Sequence, residues 1–179
     1  MKKFFIFTIV IVLFWSCSSS SIQDMHSDNP YSQYVKSYKK TDIDSIIHNN
    51  DFTIIFGWTE WCQASHNQLK EYLIPFLQDK PANIGVISIC CSNSEKLVNF
   101  LKEYDFKCST YLLPNSWSGL DKWRLNRRFH ALFDNYKSVN YVPITILCDS
   151  KKQILNRDTI NEDYHGVGTS ILQIKNNFY

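Results

Sequence analysis

The residues of this chain best suited to chemistry lie in Trp58-Thr59-Glu60-Trp61-Cys62-Gln63-Ala64-Ser65, which closes the apolar run Phe52 to Gly57. The run reads as a strand that stops and delivers a cysteine onto the first turn of a helix. A thiol there meets unpaired backbone N–H groups and the positive end of the helix dipole, both of which favour thiolate. A thiolate attacks disulfides and forms mixed disulfides. Three residues on, where a dithiol centre would carry its second cysteine, stands Ser65. Ser65 can donate a hydrogen bond to a thiolate. His66, at i+4 from Cys62, shares its helix face and favours thiolate when protonated. The alternative for His66 is a solvent-facing helix position.

The chain has six cysteines: Cys17, Cys62, Cys90, Cys91, Cys108 and Cys148. No C-x-x-C occurs and no paired histidines accompany them, so neither a metal nor any other cofactor is expected. Cys90-Cys91 ends the second strand close to the end of the first, which makes Cys91 a candidate to resolve a mixed disulfide at Cys62. The alternative is that Cys90 and Cys148 are small buried hydrophobes and Cys91 merely lies near a strand end. Cys108 reads as a core residue. A formal net charge of +2 gives no reason to expect a nucleic-acid partner.

Residues 1–16 read as a signal peptide. Lys2-Lys3 precede the apolar run Phe4 to Trp15, which is short against the roughly 20 residues of a spanning helix. Ser16-Cys17 followed by Ser18 to Ser21 resembles the cleavage site of bacterial lipoproteins, although Phe14-Trp15 stand where small or aliphatic residues are commoner. That resemblance implies acylation of Cys17 and attachment to a membrane through its lipid. An ordinary secretory peptide or an uncleaved anchor are the alternatives. Each places the rest of the chain outside the cytoplasm, where disulfides can persist. The expected organisation is signal peptide 1–16, lipidated cysteine and Ser-rich tether 17–40, and one domain over 41–179, with some order setting in near Tyr31 to Tyr38.

Within the domain, Thr41 to Ile47 reads as a short helix with cap-forming residues at its start. Phe52 to Phe56 and Ile84 to Cys90 are continuously apolar, as strands buried on both faces are. Leu69, Tyr72, Leu73, Phe76 and Leu77 put one apolar side on a helix over 62–78, which Pro75 kinks or tightens. Leu97, Phe100, Leu101 and Tyr104 mark the next helix. Cys108 to Leu113 is a short strand, and 116–138 carries a helix with Trp117, Trp123, Arg124, Arg127, Arg128 and Phe129. Its basic cluster is an anion or lipid-headgroup site, or simply a solvated helix face, the better of the two explanations. Val142 to Asp149 and Gln153 to Leu155 form a hairpin across Ser150 to Lys152, and a last helix covers about 169–177. The alternation predicts an α/β sandwich with a mixed sheet whose first two strands are parallel neighbours.

Trp58-Thr59-Glu60-Trp61-Cys62 resembles the segment before the active cysteine of thioredoxins. Val142-Pro143-Ile144-Thr145 resembles the loop in which that family places a cis-proline beside it. The run from Ile84 through Leu155 is similar to the membrane-tethered extracytoplasmic branch. The resemblance implies a thioredoxin-like three-layer sandwich, a mixed central sheet flanked by helices, with Cys62 as exposed nucleophile. It implies a cis bond at Pro143, a substrate groove formed by Trp58, Trp61 and Val142, and protein thiols or disulfides as partners. Two departures stand out: Ser65 replaces the resolving cysteine, and Phe56 occupies the place of a buried acid that serves that thiol's proton. The expected function is therefore an extracytoplasmic lipoprotein that forms mixed disulfides through one cysteine. A redox-inactive module that binds peptides in the groove is the alternative. A one-cysteine peroxidase is the third, with Thr59 in place but Ile55 where that motif needs proline.

Overall fold

The computed structural model describes residues 29–114, 120–157 and 166–178. The signal segment, Cys17 and Trp117 lie outside the described residues. Six strands form one sheet in the order β1-β4-β3-β2-β5-β6. They are β1 (Val35–Ser37), β2 (Phe52–Thr59), β3 (Ile84–Ser92), β4 (Thr110–Pro114), β5 (Ile144–Asp149) and β6 (Ile154–Arg157). The first four run parallel, while β5 pairs antiparallel with β2 and β6 antiparallel with β5. The sheet is mixed and the fold α/β, as the sequence predicts.

Helices cover both faces. On one lie α2 (Gln63–Gln68), α3 (Ile74–Asp79), α4 (Ser94–Glu103) and α6 (Gly166–Phe178). They bury Leu69, Leu73, Phe76, Leu97, Phe100, Leu101 and Ile174 against Ile54, Phe56 and Trp58 of β2. On the other lie α1 (Lys40–His48) and α5 (Asp121–Leu132), which bury Ile43, Ile47, Leu125 and Phe129 against Ile55, Ile87 and Ile146. Alternate residues of β2 thus serve two separate cores, which is why its middle, Ile54 to Trp58, carries no polar side chain.

Three differences from the sequence reading have physical causes. Val35–Ser37, within the expected tether, pairs with Thr110 to Leu112 and becomes an edge strand, so the sheet begins before residue 41. Between α2 and α3 the chain takes a π-helical turn over Leu69–Leu73. Pro75 follows in the first turn of α3 and has no N–H to give an upstream carbonyl, so the α-helical ladder is interrupted where the proline demands it. The helix expected over 116–138 is confined to Asp121–Leu132 among the described residues. The hairpin forms as expected: Lys152 takes φ 62° and the Asp149 carboxylate accepts from the N–H groups of Lys151 and Gln153.

Gly57 fixes the distance between β2 and α5. A Cβ there would sit 2.7 Å from Cζ of Phe129. Gly57→Ala is expected to push α5 off the sheet and cost about 1–3 kcal/mol, read as a lower urea midpoint with an unchanged m-value.

Candidate functional site around Cys62

Strand β2 ends at Thr59, and Cys62 follows in extended conformation (φ −90°, ψ 113°) as the residue that caps α2. Its carbonyl accepts from Ser65 N at 2.9 Å and His66 N at 3.2 Å, which starts the helix. The antiparallel register pairs Gly57 with Ile144 and so brings the segment before β5 alongside the residues after β2. There the Val142–Pro143 peptide bond is cis, and the Cys62 thiol donates to the Val142 carbonyl at 3.4 Å. Cys62 is partly exposed, and Trp61 beside it is 56% exposed.

Ser65 is fully buried and its Oγ has no hydrogen-bond partner among the described residues. The hydrogen bond expected from Ser65 to the Cys62 sulfur does not form. His66 is neither solvent-facing nor aimed at Cys62. Its Nε2 donates to the Glu60 carbonyl at 2.6 Å and its Nδ1 accepts from the Tyr104 hydroxyl at 3.2 Å. The ring packs edge-on against Phe100 and Tyr104 of α4. A neutral imidazole with its proton on Nε2 satisfies both bonds, so His66 ties the Glu60 turn to α4.

Trp58 is not part of a groove. It is fully buried, it packs on Phe56 and Phe100, and its indole N–H donates to Ser88 Oγ at 2.7 Å. The position follows from parity: Trp58 lies on the same face as Ile54 and Phe56, hence in the core. Phe56, in the place expected of a buried acid in thioredoxins, is likewise fully buried hydrocarbon.

Cys91 projects into the core shared by α1 and α5, on the face opposite α2. It is fully buried, unpaired, and its S–H points to the Asp121 carbonyl at 3.8 Å. Cys90, Cys108 and Cys148 are buried as well, in accord with the reading of them as small hydrophobes. Burial pushes the thiols of Cys108 and Cys148 up to about 12. Burial, reinforced by the Asp121 charge, does the same to Cys91, and burial takes Cys90 well above its ordinary value. Among the described residues no cluster of three His, Cys, Asp or Glu side chains could hold a metal ion.

The helix α5 holds both sides of the site, which sequence patterning did not reveal. Asp121, 1% exposed, accepts from the indole N–H of Trp61 at 3.0 Å. Burial raises its carboxyl above the usual range, while the Trp61 hydrogen bond and the Arg124 charge oppose that rise. One turn on, Asn126 donates to the carbonyls of Lys122 at 2.7 Å and Val139 at 2.9 Å. Its Oδ1 accepts from Tyr136 Oη at 2.7 Å and from Val139 N at 2.9 Å. Lys122 Nζ donates to Asn140 Oδ1. The segment leading into Val142–Pro143 is therefore fastened to α5 by side chains.

No family model matches the sequence, and no curated relative does. Solved structures match the fold. A thiol:disulfide interchange protein of the thioredoxin family from Chlorobium tepidum superposes with a TM-score of 0.51 at 10% identity, covering 72% of this chain and 81% of its own. The fold is thioredoxin-like. A candidate thioredoxin from Neisseria meningitidis agrees with a TM-score of 0.51 at 15% identity, over 75% of this chain and 80% of its own. A candidate DsbE from Chlorobium tepidum gives 0.51 at 13%, over 70% and 81%. In this thioredoxin-like domain Cys62 stands at the end of β2 before α2 and beside the Val142–Pro143 cis bond.

Two outcomes follow. Iodoacetamide at pH 8 should alkylate Cys62 alone among Cys62, Cys90, Cys91, Cys108 and Cys148, the others reacting only after unfolding. Buried thiols held near 12 stay protonated until pH rises through that value, so labelling of Cys91 in the native protein at pH 8, read by peptide mass spectrometry, would contradict the arrangement. Asn126→Ala strips Val139 and Tyr136 of their partners and should cost about 2–4 kcal/mol, measured by urea denaturation.

Proposed function

We propose that this chain is an extracytoplasmic thioredoxin-like lipoprotein that performs thiol–disulfide exchange with a single cysteine. The observation that carries the proposal is the isolation of Cys62. It is the one described cysteine that is not buried, it lies at the end of β2 against the Val142–Pro143 bond, and a buried serine stands three residues on. The thiolate of Cys62 attacks one sulfur of a partner's disulfide. A new S–S bond joins Cys62 to the partner, and the other sulfur leaves as thiolate and takes up a proton from water. Release needs a thiol from outside the chain, since Ser65 cannot attack the mixed disulfide and Cys91 is packed on the other face of the sheet. Acylation at Cys17, preceded by a basic and apolar segment, would hold the domain at a membrane surface. Among the described residues no helix is long and apolar enough to cross one.

The test is direct. Incubated with a peptide disulfide, the protein should gain the mass of one peptide thiol at Cys62, and Cys62→Ser should abolish the gain. Absence of any adduct under conditions that alkylate Cys62 would leave the peptide-binding alternative in its place. Ser65→Cys should raise dithiol-dependent insulin reduction by at least roughly tenfold, because helical i, i+3 side chains lie within disulfide reach. If Ser65→Cys folds and remains inactive, the missing second thiol is not what limits the site.

A further inference from the structure

Helix α5 fastens Trp61 and the Val142–Pro143 segment through the inward Asp121 and Asn126 and the exposed Lys122. Its outward side carries a second set of groups. Trp123 is 56% exposed, with the Arg127 guanidinium 5.5 Å from the centre of its ring. Leu120, immediately before the helix, is 47% exposed. Lys122, Arg127 and Arg128 are exposed, Lys122 bonded to Asn140 and Arg128 lying 4.8 Å from the centre of the Tyr38 ring, and among the described residues none of them enters a salt bridge. Asp121, the one acid of the helix, is turned inward and buried. The outward face is thus aromatic and uniformly positive. It borders the site at the N-terminal end of α5, where the inward Asp121 holds the exposed indole of Trp61 next to Cys62.

We infer that the outward face of α5 is the partner-recognition surface of Cys62, and that it selects polypeptides whose reacting cysteine is flanked by acidic residues. The inference rests on the exchange function proposed above. The Arg127 guanidinium, stacked on the exposed Trp123 indole and without a carboxylate partner among the described residues, fits a carboxylate on a chain that also lays apolar surface on Trp123. A solvated helix face explains the charges but not the exposed tryptophan among them. Six residues separate Asp121 from Arg127, about 9 Å along the helix axis. An extended chain covers that in about three residues. Because Cys62 lies beyond the Trp61 end of that span, the acidic residue is placed three or more positions from the partner's cysteine.

The experiment uses three peptides of equal length, each with one cysteine activated as a thiopyridyl disulfide and with Glu, Gln or Lys three residues away. Attack by Cys62 joins it to the peptide sulfur and releases pyridinethione, so the reaction needs no further oxidant. Second-order rates are read from the released chromophore. The Glu peptide should react roughly tenfold faster than the Lys peptide at low salt, with the advantage shrinking toward unity as ionic strength rises. Arg127→Glu should reverse the order. Trp123→Ala should slow all three peptides but leave the rate with a small neutral disulfide unchanged, which shows that Cys62 and the fold are intact. Equal rates for the three peptides, with normal reactivity toward the small disulfide, would overturn the inference and leave the exchange function standing. No reaction with any disulfide would overturn both. Equal peptide rates together with Arg127-dependent binding to phosphatidylglycerol vesicles would assign the basic face to a membrane and overturn the inference in favour of that surface.

Discussion

Pairing of β2 with two neighbours of opposite direction is the constraint on which the site depends. Strand β3 lies parallel to it and β5 antiparallel. The end of β2, where Cys62 follows, therefore meets the start of β5, where Val142–Pro143 precedes. A cysteine and a proline far apart in the sequence are brought together by backbone register alone, and the 3.4 Å contact between thiol and Val142 carbonyl follows from it. Burial of β2 on both faces locks that register, since a slip of one residue would exchange the side chains of two filled cores.

Register delivers the backbone to the right place, and polar side chains hold it there. Segments outside strands need partners for their amide groups, and the stretch before β5 obtains them from Asn126, whose four hydrogen bonds saturate its amide. On the other side His66 ties the Glu60 turn to Tyr104. Both flanks of Cys62 are thus anchored to helices on opposite faces of the sheet, α5 on one and α4 on the other.

What the sequence revealed and what it hid follow from this division of labour. Strands β2, β3, β5 and β6 were legible because apolar runs and turn residues are local signals, and Cys62 and Pro143 because their flanking residues resemble those of thioredoxins. Trp58 is misplaced because the apolar run is expected to end as a strand at Phe56, whereas β2 continues to Thr59 and parity with Ile54 and Phe56 puts Trp58 in the core. Strand β1 escaped because Val35 alone of its three residues is buried. The roles of Asn126, Asp121 and His66 were hidden for a deeper reason. Each contacts a residue brought near by tertiary structure, and a polar residue on a helix looks the same whether it meets water or a buried carbonyl.

Ser65 and Phe56 are linked through burial, since both are fully buried. A carboxylate at position 56 would be surrounded by Ile54, Trp58 and Leu69, where an ionised group is costly unless it has a proton to exchange. With a serine at position 65 there is no second thiol for it to serve, and hydrocarbon is the more stable occupant. Asp121 remains buried with one oxygen spent on Trp61 and the other without a partner among the described residues, an arrangement that costs stability. A scaffold kept only for its fold would gain by replacing that acid. Its presence beside the exposed Trp61 indole and the partly exposed Cys62 thiol fits the function proposed, in which the site captures a partner and does not itself release it.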